Sequence, residues 1–179
     1  MSKETPPLFG KTRLLEGQID EFLDKVAEGA IYFERGIAAY LEDIEDEKVA
    51  EAGHLEICEE KLSQIIDLKE KCKELRRSIV NVLYSEMLIP DFRADVLRLL
   101  TDLYSLLDAM GNNFQGIMIE YGYVPQTEAS QRETSLNRKR FLDLVQVVVK
   151  SVETVIIAAR SFFRDPKSVR DHIYQVRVY

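Results

Sequence analysis

Residues 19–44 read IDEFLDKVAEGAIYFERGIAAYLEDI. The apolar positions Ile19, Phe22, Val26, Ala30, Phe33, Ile37, Tyr40 and Ile44 recur at steps of three and four. That period draws one stripe along an α-helix and does not fit the alternation of a strand. The spacing predicts a first helix over 11–44, ended or kinked by the acidic run Asp43, Glu45, Asp46 and Glu47.

The same period continues through the rest of the chain. A second helix is expected over 47–88, with Leu55, Cys58, Leu62, Ile65, Leu68, Cys72, Leu75, Ile79 and Val82 on its stripe. Ile89-Pro90-Asp91 ends it, because proline lacks an N–H and biases the preceding residue away from helix, and Asp91 can cap the next helix. A third helix over 91–121 carries Val96, Leu99, Leu103, Leu106, Met110, Phe114 and Ile117. A fourth over 130–164 carries Phe141, Val145, Val148, Val152, Val155, Ala159 and Phe162. Asp165-Pro166 breaks it, and a short fifth helix is expected after the break. The fold class is all-α, built from long antiparallel helices. Phe22-Leu23-Asp24-Lys25-Val26 is echoed by Phe141-Leu142-Asp143-Leu144-Val145, which points to an internal repeat. Residues 1–122 are expected to form one helical bundle and 123–179 a second, incomplete helical unit.

Composition narrows the function. The 179 residues carry 24 Lys+Arg against 31 Asp+Glu, a net charge of −7 that disfavours generic nucleic-acid binding. Two histidines, His54 and His172, leave little room for histidine-based zinc or catalysis. If Cys58 and Cys72 share a helix, they stand about 21 Å apart, beyond disulfide reach. They read as buried thiols of a reducing compartment. Residues 1–10 are polar, with two prolines and no apolar core of a secretory signal, and the apolar run 141–163 is interrupted by Asp143, Lys150, Glu153 and Arg160. The expected location is cytoplasmic.

Pairing the second and third helices as a hairpin about Pro90 sets residues whose numbers add to about 179 face to face. Glu70 then lies near Asp108, and Glu74 and Asp67 near Ser105 and Asn112. Such an oxygen-rich groove would suit a hard cation or iron. The competing reading is a solvated face, with Glu70 paired to Lys73 and Glu74 to Arg77 or Ser78; spacing alone favours it. Glu51-x-x-His54 is half of a di-iron motif, and Val169 stands where a second Glu before His172 would be needed. Arg138-Lys139-Arg140 reads either as a solvated helix turn or as a contact for phosphate or lipid head groups. Nucleophile elbows, glycine-rich phosphate loops and Cys-x-x-Cys pairs are absent from the sequence.

The segment from Ile66 to Asp108 resembles the PhoU-like proteins that accompany Pit-type phosphate transporters. The likeness rests on Glu70-x-x-x-Glu74, the apolar run Ile79–Tyr84, and the turn Pro90-Asp91-Phe92-Arg93-Ala94-Asp95 with Leu99-Leu100 after it. Tyr104 and Ser105 stand where the family pattern has acids. The resemblance implies two tandem three-helix bundles. It also implies a non-enzymatic regulator or accessory protein of inorganic phosphate transport, a homo-oligomer at the inner face of the membrane. Its partner would be a Pit-type transporter. Glu70, Glu74 and Asp108 would be its ligands to an iron- or zinc-type cation. The family's second acid motif would fall beyond Tyr179. The alternative function is a helical oligomerisation or interaction module.

Overall fold

The computed structural model describes residues 8–43, 53–86, 90–121 and 128–164. These form four helices: α1 (Leu8–Asp43), α2 (Gly53–Glu86), α3 (Pro90–Tyr121) and α4 (Glu128–Arg164). No strand occurs among the described residues. The expected fifth helix, Ile44 and the acidic break after it lie outside them. Pro90 begins α3 rather than preceding a cap at Asp91. The first position of a helix has no intrahelical use for the missing N–H, so proline fits there.

Contacts between helices set their directions. Gln18 Nε2 donates to Ser78 Oγ at 2.6 Å, and the Cys58 thiol donates to the Gly36 carbonyl at 3.6 Å, so α1 and α2 are antiparallel. Phe33 meets Phe114 edge-on with ring centroids 6.4 Å apart, and the Tyr40 hydroxyl donates to the Met118 carbonyl at 3.4 Å, so α1 and α3 are parallel. The Lys69–Asp108 ion pair and the facing of Gly111 against Ile65 make α2 and α3 an antiparallel hairpin. Both pairs fall within three of the sum expected from a turn at Pro90.

The fourth helix packs on α1, and Arg160 forms an ion pair with Asp24 midway along it. Six residues separate Tyr121 from Glu128. Extended, that connection reaches about 25 Å, whereas the 37-residue α4 is about 55 Å long. Starting near the Tyr40 end of α1, α4 can place Arg160 beside Asp24 only by running antiparallel to α1.

The first helix therefore touches all three others, and its burial shows it. Phe22, Leu23, Val26, Ala30 and Ile37 are fully enclosed, covering far more of the helix circumference than one stripe. The predicted α1 stripe from Ile19 to Tyr40 is buried throughout. In α3, Leu100 and Leu107 are enclosed and Leu106 stays exposed. In α4, Val149 and Ile156 are buried and Val148 is exposed. These slips of one residue occur at apolar doublets such as Leu106-Leu107, where composition does not fix the side that faces inward. Cys58 and Cys72 both lie on α2, buried and not joined by a disulfide, and burial pushes the Cys72 thiol up to about 12.

Two glycines let α3 approach α1. A Cβ on Gly29 would strike the Leu107 side chain, and one on Gly36 would strike the Phe114 ring. The Leu107 methyl can rotate away, but the ring is wedged against Phe33. Gly36→Ala should destabilise the protein by about 1–3 kcal/mol, the usual cost of overpacking. Gly17 has nothing within 4 Å of its would-be Cβ. Gly17→Ala should instead stabilise by about 0.5–1 kcal/mol through helix propensity. Urea denaturation of the two variants beside the parent checks the opposite signs.

Candidate functional site

The groove between α2 and α3 borders the residues singled out by sequence, although it does not gather them as expected. A hairpin groove is lined by the flanks of each helix, not by the face opposite the core. Taking Cys72 as the inward direction, Lys69, Lys73, Arg76, Arg77 and Val80 lie about 40–140° round one flank of α2. Glu70 and Glu74 lie about 160° away on either side and face solvent. Tyr104 and Asp108 occupy the matching flank of α3.

Ion pairs agree with this placement. Asp108 Oδ1 receives the Lys69 ammonium at 2.5 Å, and Asp108 Oδ2 accepts from Asn112 Nδ2 at 3.1 Å. Glu70 Oε1 receives Lys73 Nζ at 2.5 Å, the i,i+3 pairing of a solvated face. Lys69 holds the Asp108 carboxyl below its ordinary range, and Lys73 does the same for Glu70. In return Glu70 raises the Lys73 ammonium, helped by the Tyr104 hydroxyl beside it. Glu74 is exposed, as is Asp67. The three expected ligands Glu70, Glu74 and Asp108 are not brought together. Among the described residues, no three Asp, Glu, His or Cys side chains are grouped to hold a metal ion.

Beside these pairs, Lys73, Arg76, Arg77, Val80, Asn81 and Tyr104 line an open pocket of about 350 Å³. These lining residues include no acid. Placing the groove opposite the core stripe overlooks this pocket. Its signal in the sequence is Lys69, Lys73, Arg76 and Arg77, whose three- and four-residue spacing tracks one edge of that stripe. In α4, Lys139 and Arg140 are exposed, as a solvated turn would be. Glu51 and His172, needed for any di-iron reading, lie outside the described residues.

A second polar cluster sits on the other edge of α2. The Tyr32 hydroxyl donates to Glu28 Oε1 at 2.6 Å, and Lys61 Nζ stands 5.5 Å from the Tyr32 ring centroid. Tyr32 lowers the Glu28 carboxyl, and Glu28 raises the Tyr32 hydroxyl. This cluster ties α1 to α2.

The carboxyls of Asp108 and Glu28 are both lower in the folded protein than in the free side chain. Their contribution is therefore present above the unfolded carboxyl range and is lost as pH falls through the lower, folded values. Stability should drop as pH falls below the unfolded carboxyl range of about 4. Asp108→Asn should cost less than about 1 kcal/mol at neutral pH, because its partner is reached at a half-exposed surface. The same variant should show a shallower acid loss, read from thermal midpoints below that range.

The chain matches no protein-family model, no curated protein and no solved structure.

Proposed function

We propose that this chain is a non-enzymatic helical accessory protein that regulates inorganic phosphate transport through protein–protein contact, at the cytoplasmic face of a Pit-type transporter. The observation that supports the reading is the α2–α3 hairpin about Pro90. It is the segment that resembles the PhoU-like proteins, and its register matches the expectation from that turn. None of the described helices is long and apolar enough to cross a membrane, which fits a protein that docks on a transporter from one side.

The reading calls on contact and not on a metal. Glu70 and Asp108 each already hold a lysine, and Glu74 stands on the solvent side. Tagged protein expressed with a Pit-type transporter should co-purify with it from detergent extracts. Failure to co-purify, when both proteins are present and folded, overturns the proposal. Metal content by mass spectrometry should be substoichiometric, and equal in the parent and in a Glu70→Ala/Glu74→Ala variant. A stoichiometric cation lost in that variant would restore the acid pair as a metal site.

A second reading, a helical oligomerisation module, is favoured by one observation. Leu144, Val147 and Val148 are exposed on α4, with Leu144 at 56%. Leu144, Val148, Ser151 and Val155 have the four-three-four spacing of a helix-pairing seam. Under this reading, light scattering gives a dimer that Leu144→Glu/Val148→Glu converts to monomer. A monomer in the parent removes this alternative.

A further inference from the structure

The pocket between α2 and α3 sets three cations around one cavity in a chain that is acidic overall. Lys73, Arg76 and Arg77 line it with Val80, Asn81 and Tyr104. We propose that it binds a small phosphate-bearing anion, a phosphate ester held by its phosphoryl end.

The arginines carry most of the weight. With 31 acids to 24 bases, this chain has enough carboxylates to pair every cation. Lys69 and Lys73 both have such partners. Arg76 and Arg77 form no ion pair or hydrogen bond with any described residue, and Arg77 acts on Glu70 only through charge at a distance. Both line the cavity, and neither side chain is buried. Each guanidinium fork can donate two parallel N–H bonds to one oxyanion. Two forks and an ammonium match a dianion with three acceptor oxygens better than a carboxylate, which one fork satisfies.

The neutral groups narrow the ligand further. The Tyr104 hydroxyl and the Asn81 amide add donors of no net charge. The Tyr104 ring packs against the core and, with Val80, gives the cavity an apolar side. At about 350 Å³ the cavity is at the small end of ligand sites and larger than one phosphate group requires. An ester fits both halves, with the phosphoryl group on the cations and its organic part on Val80 and the Tyr104 ring. The phosphoryl group can belong to a free metabolite or to a lipid head group; the recognition chemistry is the same. This assignment stands on the pocket alone and does not depend on the transporter reading.

Calorimetric titration of the full chain at low salt tests it. The probes are inorganic phosphate, glycerol 3-phosphate and ADP. Flotation with phosphatidylcholine vesicles, with and without phosphatidic acid, covers the lipid source. At least one phosphate-bearing probe should bind, more weakly as salt is raised. Affinity should fall at least tenfold in Arg76→Gln/Arg77→Gln, with helicity unchanged, since neither side chain is buried. Binding of a soluble ester assigns a free ligand, and binding only to phosphatidic acid vesicles assigns a lipid head group. No binding to any probe, or equal binding by the double variant, overturns the proposal. Should the double variant lose helicity, Arg77→Lys keeps the charge and removes one fork. A several-fold loss then supports the site, and unchanged affinity overturns it.

Discussion

The close approach of α3 to α1 at Gly29 and Gly36 governs the arrangement of the other helices. Without side chains at these two positions, Leu107 and Phe114 can sit against the α1 backbone. Phe114 is then fixed edge-on to Phe33, which sets the height of α3 along α1. The Cys58 thiol bonded to the Gly36 carbonyl sets the height of α2 from the same point. With both heights fixed, the α2–α3 register has no freedom left. Lys69 must face Asp108, and Lys73 must face Tyr104. Two absent methyl groups in the core thus decide which side chains line a groove on the surface.

That dependence explains what is legible in the sequence and what is not. The four described helices, the α1 stripe and the hairpin register are legible, because period and a single proline carry that information locally. The exposure of Leu106 and Val148 is not, because each sits beside a second apolar residue and only packing chooses between them. The composition of the groove escapes the sequence pattern for a geometric reason. Glu70 and Glu74 are expected in it because they lie opposite the core. On a helix with a neighbour, the groove borders the core stripe, and the face opposite the core looks into solvent. The lysines and arginines one step round from Cys72 are the groove residues. Asp108 does lie at the groove, yet its partner is a lysine and not a metal or another acid.

The α4 helix shows the same limit from another side. Its echo of α1, Phe141-Leu142-Asp143 answering Phe22-Leu23-Asp24, does not produce matching environments. Phe22 and Leu23 are fully enclosed, whereas Phe141 and Leu142 are only partly buried. The difference arises because α1 is packed by three helices and α4 chiefly by one. A shared sequence fragment specifies a helix with an apolar flank; how much of that flank is covered depends on the number of neighbours.

Net charge is a poor guide to what such a surface binds. The whole-chain value of −7 argues against a broad polyanion such as nucleic acid, whose contact spans many residues and samples the average field. A pocket a few ångströms across samples only its own walls. Those walls carry Arg76, Arg77 and Lys73, with Glu70 paired to Lys73 and Asp108 to Lys69, and charges beyond a Debye length of about 8–10 Å are largely screened. The surrounding acidity adds selectivity, because a large anion meets repulsion on all sides while a small one enters the local positive field. The same charge distribution that disfavours nucleic acid therefore favours a compact phosphate ester over an extended polyanion.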